Sequence, residues 1–160
     1  LKQILFVCSG NTCRSPLAEV IARDALRRRG IANVRVSSAG TSAVDGMPAS
    51  EGSLAVARQN GLNLSSHRSR LLSPAIVRDA DLIVALAKAH RHTVGIVEPA
   101  ALDWTRLLTD FSVDHDGDVD DPVGGDIRCY EKTFHTIYGC VEDLAAQLDR
   151  FDGWRRPAGE

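Results

Sequence analysis

Four consecutive apolar residues, Ile4-Leu5-Phe6-Val7, run into the polar turn Cys8-Ser9-Gly10-Asn11 and then into Ser15-Pro16-Leu17-Ala18-Glu19. A stretch that is apolar at every position suits a strand covered on both faces. Serine at a cap, proline at the first helical position and an acid in the first turn then open a helix, which Arg27-Arg28-Arg29 and Gly30 close. This opening constrains the fold more than any other feature, because a strand buried on both sides needs a helix layer above and below it.

The rest of the chain continues the alternation. Residues 34–37 read as a second strand, and residues 51–60 as a helix between a Ser50 cap and Gly61. Ser73-Pro74 opens a short helix to about residue 79, residues 82–86 form a third buried strand, and residues 88–94 a further helix. Residues 102–111 fit either a helix or a strand plus turn. Ile127, Tyr130, Phe134, Ile137, Val141, Leu144 and Leu148 recur in steps of three and four, which makes one apolar face of a long final helix. The pattern predicts an α/β protein with a parallel sheet covered on both sides by right-handed crossovers. With 160 residues, 44% of them hydrophobic, and no internal repeat, one domain over residues 1–150 is expected. Residues 151–160 are expected to form a mobile tail.

Composition excludes several functions. Nineteen basic against twenty-one acidic residues give a net charge of −2, so nothing global attracts nucleic acid or an anionic membrane. No apolar run approaches the roughly 18 residues of a membrane span, and the 4–7 run is too short for a signal-peptide core. A cytoplasmic address is the expectation. Four cysteines, two of them close together at Cys8 and Cys13, do not make a secreted disulfide framework, which leaves catalysis, redox chemistry or metal binding. Cys129 and Cys140 lie on the final helix at a separation of roughly 16 Å, too far for a four-cysteine zinc site. The acidic run around Asp114 and Asp116 has Gly117 at the fourth loop position and Gly125 where a calcium loop needs glutamate. No metal or other cofactor is expected.

In parallel sheets, ligands bind at the carboxyl ends of strands, and a helix N-terminus there is an anion site. The segment Cys8-Ser9-Gly10-Asn11-Thr12-Cys13-Arg14-Ser15 lies at such a place. Gly10 and Asn11 tolerate positive φ, so successive backbone N–H groups can wrap a phosphate-sized dianion. Arg14 can chelate two phosphoryl oxygens and favours a thiolate nearby, which makes Cys8 the candidate nucleophile. The competing reading makes Cys8 a small buried hydrophobe at a strand end and Arg14 a solvated helix residue. Ser15 serves either as a helix cap or as a hydrogen-bond donor to the Cys8 sulfur. Among the acidic residues Asp121 stands out as a proton donor, because Pro122 makes a rigid ledge before the final helix.

The run from Phe6 and Val7 through Cys8, Asn11, Arg14, Ser15 and Pro16 to Glu19 resembles the signature of the low-molecular-weight protein tyrosine phosphatase family. Ser38-Ala39-Gly40-Thr41 resembles that family's segment after the second strand, Ala80-Asp81-Leu82-Ile83-Val84 its third strand, and Asp121-Pro122 its general-acid loop. The resemblance implies a four-stranded parallel sheet flanked by helices and a phosphocysteine intermediate on Cys8. It also implies Arg14 on the phosphoryl group, and Asp121 acting first as acid and then as base. The loop residues Ser9, Gly10, Asn11, Thr12, Cys13 and Ser15 would surround the substrate, with Asn11 holding the loop through Ser15 and Ser38. No metal is implied.

Thr12 resembles the arginine-directed branch, where tyrosine-directed members usually carry a branched apolar residue. A hydroxyl suits the nitrogen-linked group of phosphoarginine, whereas an apolar wall suits a phenyl ring; the bland alternative is a size-matched change. Val123-Gly124-Gly125 follows Asp121-Pro122 where relatives place aromatic residues, a departure that leaves substrate packing at Val123 open. The expected activity is hydrolysis of phosphoarginine in proteins, with phosphotyrosine as the alternative and a monomer as the expected state. Two rivals are an arsenate reductase of the same fold, which needs two further close cysteines absent from residues 65–101, and a phospho-residue binding module without turnover. A Cys8–Cys13 disulfide is a separate redox expectation. His67, Arg68, Arg70, His90 and His92 read as surface or locally hydrogen-bonded residues, and Trp104 and Trp154 as packing anchors.

Overall fold

Strand β1 (Lys2–Cys8) is apolar on both faces from Ile4 onward and takes the interior of the sheet, where both of its edges are paired. In the computed structural model, which describes residues 1–158, β1 pairs in parallel with β2 (Val34–Gly40) on one side and β3 (Leu82–Ala85) on the other. Strand β4 (Thr105–Leu107) extends the sheet beyond β3, giving the order β2-β1-β3-β4, all parallel. The ambiguous 102–111 segment is therefore strand plus turn, with β4 between two short 3₁₀ turns.

The two faces follow the alternation of the strands. Ile4, Phe6, Cys8, Leu82 and Val84 pack against α1 (Arg14–Arg28), α2 (Glu51–Gln59) and α5 (Ile127–Gln147), with Leu17, Ile21, Val56, Phe134, Ile137 and Val141 filling that layer. Leu5, Val7 and Ile83 face the other way, onto Val77 of α3 (Pro74–Asp79) and Val94 of α4 (Lys88–Val97). Each fully buried aliphatic or aromatic side chain of this kind contributes about 2 kcal/mol by leaving water. On α5 the expected apolar face is buried from Tyr130 to Leu148, while Ile127 is exposed at the first turn.

Capping explains most helix limits. Ser50 accepts from Ser53 N–H, and Ser73 accepts from Ile76 N–H. Gly61 closes α2 at φ 74° and Gly30 follows α1 at φ 68°, conformations that cost glycine little. Helix α1 departs from the expectation: it begins at Arg14 with Cys13 at the cap position, no side chain caps it and no acid occupies its first turn. Ser15 therefore sits inside the helix with its hydroxyl free for other partners. Helix α4 runs to Val97, a turn beyond the expected end.

The expected mobile tail is docked in its first half. Phe151 packs between Phe111 and Trp154, the Arg155 N–H donates to Asp81 O at 2.7 Å, and the Arg155 guanidinium lies 4.7 Å from the centre of the Trp104 ring. The aromatic cluster and the cation–π contact supply what residue-by-residue polarity hid. Residues 159 and 160 of that expected tail lie outside the described residues.

The chain leaves β1 toward β2 on one side and returns to β3 on the other, so the strand order reverses between β1 and β3. At such a switch point the loops after the two strands diverge and open a crevice.

Candidate active site

The loop after β1 turns sharply at Asn11, whose φ of 57° makes it the one non-glycine residue with positive φ among the described residues. Asparagine tolerates that conformation because its short amide bonds locally. Here the fully buried side chain reaches three segments. Its Nδ2 donates to Ser15 Oγ at 2.8 Å and to Ser38 Oγ at 2.9 Å, and its Oδ1 accepts from Arg70 N–H at 2.9 Å. His67 Nε2 lies 2.7 Å from the Asn11 carbonyl. Gly40, at the end of β2, lets the loop settle this close, since a Cβ there would lie 2.4 Å from Ser9 O.

The bonds from Asn11 to Ser15 and Ser38 are those the family resemblance implies. The backbone N–H groups of residues 9–13 donate to no carbonyl among the described residues. They constitute a set of unpaired donors on one short turn, the property of an anion nest.

Cys8 lies at the floor of this loop, 2% exposed. Its Sγ is 2.9 Å from Ser15 Oγ and accepts from Ser15 N–H at 3.4 Å. Because Ser15 Oγ already accepts from Asn11, the serine proton is available to Cys8, and a thiolate there would necessarily be the acceptor. The sulfur thus meets two donors from the first turn of α1, the turn whose N–H groups are intrinsically unpaired. Cys13, also buried, has its Sγ 3.3 Å from Ser50 Oγ and 3.7 Å from the Tyr130 hydroxyl. Burial pushes the Tyr130 phenol up, so this prop behind the loop stays protonated. All four cysteines are free thiols. Thr12 is half-buried on the same turn.

Arg14 ties the loop to the acidic segment more than a hundred residues away. Its Nη1 donates to Val119 O at 2.9 Å, and its Nη2 lies 3.5 Å from both Ser9 Oγ and Asp121 Oδ2. Arg14 is thus a buried residue rather than a solvated one. The segment is fastened to the end of β3, through Val119 N–H to Leu86 O at 2.8 Å and through Lys88 N–H to Asp118 Oδ1 at 2.8 Å. The Asp121 side chain remains 41% exposed, with Oδ1 steadied by Val123 N–H at 3.1 Å. Val123 itself is 67% exposed and makes no enclosed apolar slot.

One residue at the loop was missed. His90, expected as a surface or locally hydrogen-bonded residue, is the latter: it is buried on α4 and its Nε2 lies 2.9 Å from Ser9 Oγ. Burial, reinforced by the charge of Arg14, holds its pKa down to about 4. The clue in the sequence was the apolar spacing of α4, which turns positions 90 and 94 to the same buried side. Arg70, read as a surface or locally hydrogen-bonded residue, bonds Ser38 O through Nε at 2.9 Å and supports β2.

A thiol, a buried guanidinium and a half-exposed carboxylate around an unpaired turn of N–H groups, on a parallel sheet at its switch point, define a class of protein that handles small dianions by cysteine chemistry. Comparison with known proteins narrows the class. Residues 3–152 match the family described as low molecular weight phosphotyrosine protein phosphatase. A protein-arginine-phosphatase of Geobacillus stearothermophilus is 34% identical over 91% of this chain and 95% of its own length. A probable low molecular weight protein-tyrosine-phosphatase, EpsP of Ralstonia solanacearum, is 34% identical over 89% of this chain and 92% of its own. Among solved structures, a YwlE arginine phosphatase mutant with a phosphorylated active-site serine superposes with a TM-score of 0.88 at 31% identity, covering 94% of this chain and 97% of that one. The chain belongs to the low molecular weight phosphotyrosine protein phosphatase family. No helix of the described residues is long and apolar enough to cross a membrane.

Proposed function

We propose that the domain formed by residues 1–150 hydrolyses phosphoarginine in proteins through a phosphocysteine on Cys8, acting as a cytoplasmic monomer without a metal or cofactor. The observation that carries the reading is the placement of Cys8 Sγ under two Ser15 donors while Arg14 spans from the loop to Asp121. The loop N–H groups of Ser9, Gly10, Asn11, Thr12 and Cys13 and the Arg14 guanidinium would take the three phosphoryl oxygens. The Cys8 thiolate attacks phosphorus and forms the S–P bond as the P–N bond breaks, and Asp121 delivers its proton to the departing guanidine nitrogen. The Asp121 carboxylate then takes a proton from water, whose oxygen attacks phosphorus. The S–P bond breaks, phosphate leaves, and the Ser15 hydroxyl stabilises the returning thiolate.

Preference for phosphoarginine over phosphotyrosine rests on Thr12 and on the openness beside Asp121, where Val123 stands exposed. The similarity to arginine phosphatases supports it, and the similarity to a probable tyrosine phosphatase supplies the second reading.

The test compares phosphate release from a phosphoarginine protein and a phosphotyrosine protein in the presence of chelator. Faster release from phosphoarginine, abolished in Cys8→Ser, is expected, with Thr12→Ile moving the balance toward phosphotyrosine. Normal turnover by Cys8→Ser would overturn the mechanism. An unchanged ratio in Thr12→Ile would overturn the specificity argument, and release from neither substrate would return the chain to the reductase or binding-module readings.

A further inference from the structure

The Ser9 hydroxyl sits where the loops after β1 and β3 part, and its hydrogen bonds can be counted. A hydroxyl offers two acceptor sites and one donor. Arg14 Nη2, which can only donate, lies 3.5 Å from Ser9 Oγ and takes one acceptor site. The other neighbour is His90 Nε2 at 2.9 Å, and its part depends on where the imidazole proton resides.

The second ring nitrogen decides. His90 Nδ1 is buried with no hydrogen-bond partner. A proton on Nδ1 would be a buried donor with nothing to bond, the costlier kind of unpaired group. Burial and the facing Arg14 guanidinium oppose a second proton on the ring, against the weaker pull of Asp118 and Asp121. The single proton therefore belongs on Nε2, which donates to Ser9 Oγ. With both acceptor sites of Ser9 filled, its own proton must be given to a third partner.

We propose that His90 is a positioning residue: its Nε2–H and Arg14 fill the acceptor sites of Ser9, so that the Ser9 hydroxyl donates its proton to an oxygen of the phosphoryl group held in the loop. The inference rests on the reading of the 8–15 turn as a phosphoryl site. It adds a side-chain donor to that turn and makes α4 part of the binding apparatus. His90 serves through Ser9 and keeps its charge state fixed near neutrality, so it takes no part in proton transfer to the leaving group.

The experiment measures inorganic phosphate affinity by calorimetry and, separately, phosphate release from a phosphoarginine protein. Four variants are compared with the wild type: Ser9→Ala, His90→Leu, His90→Gln and the double variant Ser9→Ala/His90→Leu. Ser9→Ala is expected to weaken phosphate binding about tenfold, the loss of one hydrogen bond to a charged group. His90→Leu should weaken it by a similar factor, and the double variant should be no weaker than either single one. His90→Gln, whose amide nitrogen donates from nearly the same place, should recover most of the affinity. Equal losses in His90→Leu and His90→Gln would reduce His90 to space filling and overturn the proposal, as would unchanged phosphate affinity in Ser9→Ala. If His90→Leu fails to fold, Ser9→Ala and His90→Gln still decide, because a Gln variant as weak as Ser9→Ala refutes the donor argument. The expected affinity pattern without any phosphate release would sink the proposed activity and leave this inference standing; absence of phosphate binding in the wild type would sink both.

Discussion

Replacing Asn11 by alanine removes the one side chain that joins the loop to α1, β2 and the segment before α3. Three hydrogen bonds vanish, to Ser15, Ser38 and Arg70, each contributing about 1 kcal/mol net in a buried setting. Alanine must also hold the positive φ of 57°, which costs about 1 kcal/mol more than asparagine pays there. The expected loss is about 4 kcal/mol, a large share of the roughly 5 to 15 kcal/mol by which a domain is stable. It corresponds to a fall in Tm of roughly 8 to 16 °C for a chain of this size. Ser38→Ala breaks only one of the three bonds and should cost about 1 to 2 kcal/mol. Because the two residues share that bond, the double variant should be little worse than Asn11→Ala alone. Urea unfolding followed by fluorescence of Trp104 and Trp154 measures all three. A loss below about 1 kcal/mol in Asn11→Ala, or strict additivity with Ser38→Ala, would refute the view that this side chain is the fastening of the loop.

The pKa of His90 lies at about 4 in the folded protein, below its ordinary 6.5. Between those values the unfolded chain binds a proton that the folded chain does not, so stability should fall as pH drops from about 6.5 to 4. His90→Gln should show a shallower decline over that window in urea unfolding at matched pH, and parallel curves would contradict the burial argument. Asp121→Asn should lower kcat by about a hundredfold or more if it removes the acid and base. It should leave the unfolding midpoint nearly unchanged, because the ion pair to Arg14 is long and half-exposed; a large stability loss would mean that Asp121 is structural. Gly52→Ala places a Cβ about 2.5 Å from the Tyr130 ring at the contact of α2 with α5. The overpacking should outweigh the gain in helix propensity and destabilise by about 1 to 2 kcal/mol, and a stabilised variant would show that the ring yields freely.

Much of the architecture was legible because it is encoded locally. Apolar runs identified β1 and β3, and Ser50, Ser73, Gly30 and Gly61 marked helix ends through short-range capping. The same locality made the 8–15 turn readable, since Cys8, Asn11, Arg14 and Ser15 lie within one strand-to-helix connection. It failed where a residue has two competing local uses. Ser15 has the composition of a cap, yet the strand delivers Cys8 against it and the hydroxyl turns inward to the sulfur. The 102–111 segment stayed ambiguous because its strand is only three residues long and exists by pairing with β3. The contacts of the first half of the tail were not legible for a related reason: Phe151, Trp154 and Arg155 are polar and aromatic singly, and only the fold brings them onto Phe111 and Trp104.

By itself the sequence determined the α/β layering and the place where chemistry belongs, because periodicity, capping and a single contiguous loop act over a few residues. The family resemblance named Asp121 and Ser38 beside that loop, but only the tertiary structure decided how the distant groups meet it and added Arg70 and His90. Asp121 reaches Arg14 across 107 positions, Ser38 and Arg70 meet Asn11 from two other segments, and His90 meets Ser9 across the opening between β1 and β3. Those meetings depend on strand order and crossover direction, which bring chain segments together without regard to their separation in sequence.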